Sequence, residues 1–217
     1  MEADFWHQRW QQNQIGFHQT EINPYLKTYW EDFSLKKGAQ IFVPLCGKSS
    51  DLLWLVEQGY QVTGVELSEQ AIKAFFQDNS LPCSQRTEGK FQLFSSDNIS
   101  LYCGDFFDVD HNLIGHIDGV YDRAALVALP EGMRRRYAFH LQSLLNPGTL
   151  MLLVTMVYPQ KQMDGPPFSV SEDEVQRLFS QAESLDKLKE EDLFLKEKRF
   201  SEMGVTEIKE TIYRIVL

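Results

Sequence analysis

Two features of the chain are spaced to do chemistry together. The loop Pro44-Leu45-Cys46-Gly47-Lys48 follows a short β-prone run, Ala39-Gln40-Ile41-Phe42-Val43, and Glu66 ends a second such run nineteen positions after Gly47. In an open α/β sheet the first loop lies at the carboxyl end of its strand, where ligands sit. A carboxylate at the end of the next strand can accept hydrogen bonds from both ribose hydroxyls of an adenosine. The loop departs from the dinucleotide fingerprint Gly-x-Gly-x-x-Gly, because only Gly47 is present. A pyrophosphate needs several close backbone approaches, so a nicotinamide or flavin dinucleotide is poorly served. S-adenosylmethionine has no phosphate and needs room for a methionine tail beside the backbone, which one glycine gives. Lys48 does not complete a phosphate loop, since the first glycine of that motif is missing.

The elements that must position these residues alternate. After the first run, Leu52, Leu53, Leu55 and Val56 recur on a helical period over residues 50–58, and Gly59 stops them. Residues 60–65 read as a strand, and Ser68 caps a helix over 69–78. Residues 99–103 read as the third strand, with 91–94 as an extra pairing segment, and 117–121 as the fourth. A helix follows over 131–145, ended by Asn146-Pro147-Gly148, and then a hydrophobic strand over 149–157. The pattern predicts a doubly wound, mostly parallel α/β sheet. After it come the loop 160–170, a helix opened by the capping box Ser171-Glu172-Asp173-Glu174 and running to about Ala182, and an antiparallel closing pair of strands over 193–200 and 207–216. Two amphipathic helices, residues 3–13 and 22–32, precede the sheet, and the whole is expected to be one domain.

The bulk composition limits the partners. The chain has 217 residues, 43% of them hydrophobic, enough for a full core. Its 31 acidic residues against 21 basic ones give a formal charge of −10, which disfavours a nucleic-acid partner. The densest basic run, Arg134-Arg135-Arg136, reads as the solvated face of a helix. Three irregularly spaced cysteines, Cys46, Cys83 and Cys103, argue against a disulfide framework or a zinc site and suit a reducing cytoplasm. His7, His18 and His140 are not at metal spacing. The amino terminus lacks the pattern of a signal peptide, and no apolar run reaches membrane-span length.

Several strings together resemble the thiopurine S-methyltransferase family: Phe42-Val43-Pro44-Leu45-Cys46-Gly47-Lys48, Gly64-Val65-Glu66-Leu67-Ser68, Trp6-His7-Gln8-Arg9-Trp10 with Phe17-His18-Gln19, Asn98-Ile99-Ser100-Leu101-Tyr102, Tyr121-Asp122-Arg123-Ala124-Ala125-Leu126-Val127-Ala128, and Gly165-Pro166-Pro167-Phe168. The resemblance runs in order from about residue 5 to the end, with the short amino terminus of the bacterial branch. It implies a Rossmann-like class I methyltransferase fold over residues 1–217, with residues 1–36 as a helical lid. S-adenosylmethionine would be the methyl donor and S-adenosylhomocysteine the product. Trp10 would cover the donor, Leu45 would offer loop backbone to its methionine portion, Glu66 would hold the ribose, and Asp105 and Phe106 would flank the adenine. Arg123 would reach the donor and acceptor region and act in catalysis. Trp6 and Phe17 would line the acceptor lid, and Arg199 would approach it from the carboxyl-terminal part. The acceptor would be a small aromatic thiol or another soft nucleophile, with reduced selenium or tellurium species, and hence tellurite resistance, as an extension of the bacterial branch. A cytoplasmic monomer acting on small molecules, with no metal, nucleic acid or membrane, is expected.

Other readings remain beside this one. Trp6, Trp10 and Phe17 also fit plain packing positions, Asp105 a turn, and Arg123 a structural pair with Asp122. A nicotinamide-dependent oxidoreductase would share the fold class, though no Tyr-x-x-x-Lys pair is present. A methyltransferase with another acceptor, or a non-catalytic adenosylmethionine-binding module, would share most of these residues.

Overall fold

The computed structural model describes residues 3–194 and 198–217. The chain divides into two compact units, Met1–Tyr121 and Asp122–Leu217. The first unit contains β1 (Gln40–Pro44), β2 (Gln61–Glu66), β3 (Ser84–Glu88), β4 (Phe91–Ser96) and β5 (Ile99–Cys103), and most of β6 (Gly119–Arg123). Their order is β3-β4-β5-β2-β1-β6. β1 lies parallel to β2 and to β6, and β2 parallel to β5, while β3, β4 and β5 form an antiparallel meander. The order reverses beside β1: its successor β2 lies on one side and β6 on the other. This makes the carboxyl end of β1 the switch point where a crevice opens in doubly wound sheets.

Local sequence explains the elements around that point. Ile41, Phe42 and Val43 are buried on both faces of β1, as a central parallel strand requires. Helices α1 (Ala3–Gln11), α2 (Pro24–Tyr29), α3 (Asp51–Glu57), α4 (Glu69–Asp78) and α5 (His111–Ile114) complete the unit. Ser68 caps α4 by accepting the Ala71 N–H, and Ala71, Ile72, Phe75 and Phe76 bury one face of that helix. Asn23 caps α2 through the Tyr25 and Leu26 N–H groups, with Pro24 at the first helical position. The buried Asp51 carboxylate then accepts the Asn23 N–H at 2.8 Å and the Tyr121 hydroxyl at 2.9 Å. One carboxylate thus ties the amino-terminal segment to a central strand. Gly64 has a steric cause: a Cβ there would fall 2.8 Å from both Cys46 Sγ and Leu101 Cδ2.

The second unit holds β7 (Leu150–Val157), β8 (Ser184–Asp192) and β9 (Lys209–Val216), in the order β7-β9-β8 with antiparallel pairing throughout. Its helices are α6 (Glu131–Leu144), α7 (Glu172–Leu178) and α8 (Lys198–Glu202).

Three expectations are corrected here. The closing strand expected over 193–200 is β8, at Ser184–Asp192; Leu193 follows it and Phe200 lies in α8, while residues 195–197 fall outside the described residues. Leu193 and Phe200 are apolar because they fill a side cluster with Met156, Met163, Val205 and Ile208, not because they alternate along a strand. The fourth strand begins at Gly119, two residues later than its pattern suggested. Arg134 is not solvated like Arg135 and Arg136. It is buried, and its guanidinium grips Glu174 with Nε at 2.6 Å and Nη2 at 2.9 Å while Nη1 donates to the Leu129 carbonyl.

Candidate functional site

The loop after β1 is built around Glu66. Leu45 takes a left-handed backbone, φ 48°, and Gly47 follows with φ 56°. A left-handed non-glycine residue costs energy and is tolerated where the surroundings fix it. Here Cys46 N–H donates to the Val65 carbonyl at 3.1 Å, and Gly47 N–H donates to Glu66 Oε2 at 2.9 Å. Glu66 Oε1 accepts the Ser68 N–H at 2.8 Å, and the Glu66 carbonyl accepts the Gly104 N–H at 3.0 Å. The Glu66 carboxylate therefore ties the loops after β1 and β2 together, and its main-chain carbonyl holds the loop after β5. Burial pushes the Glu66 carboxyl above its ordinary range, and the N–H groups of Ser68 and Gly47 pull it partly back.

Aromatic rings pack over this loop. Trp10 is buried, and a Cβ on Gly47 would lie 3.3 Å from Cζ2 of its indole. Gln70 Nε2 on α4 donates to the Trp10 carbonyl at 3.2 Å, fastening the end of α1. Phe17 stands edge-on to Trp10 and to Trp6, with ring centroids 5.6 Å and 5.7 Å apart. Such pairs add about 0.5–1.5 kcal/mol each beyond area burial. Beyond β5, Asp105 is exposed and caps a short turn by accepting the Phe107 N–H at 2.9 Å. Phe106 is buried and stacked on Phe42 of β1, with centroids 6.4 Å apart and rings 21° from parallel. The first unit thus gathers Leu45, Gly47 and Glu66 with Trp6, Trp10 and Phe17, and sets Asp105 and Phe106 on the loop after β5.

Two thiols stand next to the carboxylate. Cys46 is buried and its thiol is pushed well up, first by burial and then by the Glu66 charge. Cys103, paired in register with Glu66, is pushed up to about 11 by burial and by Glu69 and Glu66. Both stay protonated at neutral pH and are poor nucleophiles. Lys48 is held in an ion pair with Asp78 at 2.8 Å, so it is committed away from a phosphate role.

In the second unit, Arg123 is half-buried and ends β6, hence stands at the carboxyl end of its strand. Arg199 is exposed on α8, with its guanidinium 4.6 Å from the Phe200 ring centroid. Sequence reasoning missed two groups beside Arg123. Asp122 is fully buried and accepts the Tyr137 hydroxyl at 2.6 Å, and Tyr137 is itself fully buried on α6. The signal was present in the string Tyr121-Asp122-Arg123, where the acid drew attention only as a partner for the arginine. Gln70 was also missed; a polar helix residue carries no mark that it will fasten another helix.

The site can hold an adenosyl sulfonium on its own geometry. Glu66 spends one lone pair on each oxygen within the loop, which leaves acceptor capacity for hydroxyls. A cationic sulfonium is suited by the electron-rich faces of nearby aromatic rings.

Comparisons with known proteins show the family and the fold. The profile described as thiopurine S-methyltransferase (TPMT) matches residues 1–216. A thiopurine S-methyltransferase of Pseudomonas fluorescens (strain Pf0-1) is 47% identical over 215 residues, covering 99% of each chain. One from Shewanella oneidensis is 47% identical over 213 residues, covering 98% of each. Among solved structures, an S-adenosylmethionine-dependent methyltransferase from Anabaena variabilis aligns with TM-score 0.63 at 15% identity, covering 99% of this chain and 94% of that one. A 1,6-didemethyltoxoflavin-N1-methyltransferase from Burkholderia thailandensis, solved with S-adenosylhomocysteine bound, gives TM-score 0.63 at 14% identity, covering 99% and 87%. At such identities the structures speak to the fold alone.

Proposed function

Because the chain belongs to the thiopurine S-methyltransferase family, and so is an S-adenosylmethionine-dependent methyltransferase, we propose that its acceptor is the sulfur of a thiopurine or similar heteroaromatic thiol. The observation that carries this reading is the buried Glu66 carboxylate, held by Gly47 and Ser68, with the Trp10 indole against Gly47 and Phe17 edge-on to both Trp10 and Trp6. In it, Glu66 accepts the ribose hydroxyls, Leu45 offers loop backbone to the methionine portion, and Asp105 and Phe106 flank the adenine. Trp10 covers the donor, Trp6 and Phe17 meet the flat acceptor, and Arg199 approaches from the carboxyl-terminal part. Residues 1–217 serve as one catalytic domain, with 1–36 as its lid, and the enzyme works as a monomer in a reducing cytoplasm. Reduced selenium and tellurium species, being soft nucleophiles, extend the acceptor range; this part rests on the bacterial-branch resemblance.

When bound, the donor supplies an already activated methyl group. The chain's task is then to align the acceptor behind that carbon and exclude water, which can supply about 7–11 kcal/mol of the barrier in favourable cases. A thiolate attacks better than a thiol, and the Arg123 charge favours the ionised acceptor. An acidic heteroaromatic thiol then needs no general base. Arg123→Ala is expected to slow turnover more for weakly acidic thiols than for strongly acidic ones; equal loss across the series would remove this role.

The test of the reading is calorimetric titration with S-adenosylmethionine, S-adenosylhomocysteine and NADH, followed by mass spectrometry of a thiopurine reaction. Micromolar binding of the first two with S-methyl product is expected. Donor binding without product would discard the thiopurine acceptor.

A further inference from the structure

A carboxylate with no solvent exposure is an expensive residue to keep, and Asp122 stands directly before Arg123. Its three hydrogen bonds all come from donors. Oδ1 accepts the backbone N–H of Ala125 at 3.2 Å and of Leu126 at 3.1 Å, and Oδ2 accepts the Tyr137 hydroxyl at 2.6 Å. An acceptor-only arrangement is matched to the ionised acid. Directly after Arg123 the chain reverses, with Ala124 in the left-handed region at φ 74°. An alanine rests there only when its surroundings compel it. The two N–H groups bound to Asp122 Oδ1 are those that follow this strained residue, so the carboxylate is what compels it. The turn is held from its far side too, where Phe168 N–H donates to the Val127 carbonyl at 2.6 Å. The buried cation of α6, Arg134, is committed to Glu174 and the Leu129 carbonyl.

We propose that Asp122, locked by the Tyr137 hydroxyl, is the positioning residue for Arg123: it fixes the backbone on both sides of the arginine and so aims the guanidinium. A buried charge and a strained alanine on the two sides of one half-buried arginine make sense as spending on geometry, because a neutral side chain would fill the same space at lower cost. The proposal rests on the reading that Arg123 serves the acceptor.

The test uses the whole protein and two mild variants, Tyr137→Phe, which removes one oxygen from the lock, and Asp122→Asn, which keeps the shape and removes the charge. Each is made alone and on an Arg123→Ala background. Acceptor kcat and KM are measured at saturating donor across thiols of rising pKa. Each single variant is expected to lower kcat by about tenfold on weakly acidic thiols, the scale of a lost charged hydrogen bond. The loss should shrink on strongly acidic thiols, reproducing the Arg123→Ala pattern in weaker form. Neither variant should lower kcat further once Arg123 is alanine. Losses that multiply with the Arg123→Ala loss would overturn the proposal and leave Asp122 a purely structural acid. If Arg123→Ala slows all thiols equally and the variants still add nothing to it, the coupling stands and the role assigned to Arg123 in acceptor ionisation falls.

Discussion

Glu66 carries two loads at once. It braces the loop through Gly47 and Ser68, and it stands where the ribose of the donor is proposed to bind. Holding the ribose hydroxyls needs the ionised acid, and burial raises its pKa, so protonation begins at higher pH than for a free glutamate at about 4.3. Donor affinity is therefore expected to weaken on acidification, with a midpoint above that value, and Glu66→Gln should weaken the donor about tenfold near neutral pH and flatten the pH profile. Calorimetry from pH 8 to pH 5 checks both. The effect on stability has the opposite sign. A carboxyl whose folded pKa is raised contributes stability at low pH that is lost as pH rises through that pKa. Acid should thus loosen the donor without this residue loosening the fold. The position of Glu66 was legible from its distance to Gly47, because strand and helix lengths fix that spacing. The contact between Trp10 and Gly47 was not, since nothing local to either residue specifies a partner thirty-seven positions away.

At the scale of elements, periodicity was informative wherever one face is buried and the other is wet. The helix over 131–145 was legible to within a residue as α6, because its buried positions recur on a helical period. β8 was not, because an edge strand with alternating charges buries little and leaves no apolar trace; the burial that would mark it belongs to its neighbour β9. The misreading of Arg134 has a similar source. A basic run shows its charge but not which of its members meets an acid forty positions later. That pair fastens α6 to α7, and its side chains are only 5% and 13% exposed. Arg134→Ala would leave Glu174 buried without its partner and is expected to cost about 3–5 kcal/mol, whereas replacing both with apolar residues of similar volume should cost far less. Urea denaturation of the single and double variants separates the two outcomes.

The whole molecule is acidic, with a formal charge of −10, and among the described residues no helix is long and apolar enough to cross a membrane. Its surface also manages an exposed strand. β8 shows Asp186, Lys187, Lys189 and Glu190 to solvent, and pairs them with Arg214, Glu172, Glu191 and Lys209. Isolated surface pairs of this kind add little stability, about 0–1 kcal/mol. Their value lies in what they deter, because a charged edge is a poor template for another strand. Replacing Asp186, Lys187, Lys189 and Glu190 with threonine or valine is expected to produce self-association in sedimentation velocity, while the parent chain sediments as a single protomer. In the proposed monomer, a rim written in alternating charge would leave each molecule indifferent to the next. Initial rate should then rise in strict proportion to enzyme concentration, with neither a lag nor upward curvature, so that each added protomer brings the same activity however crowded its neighbours.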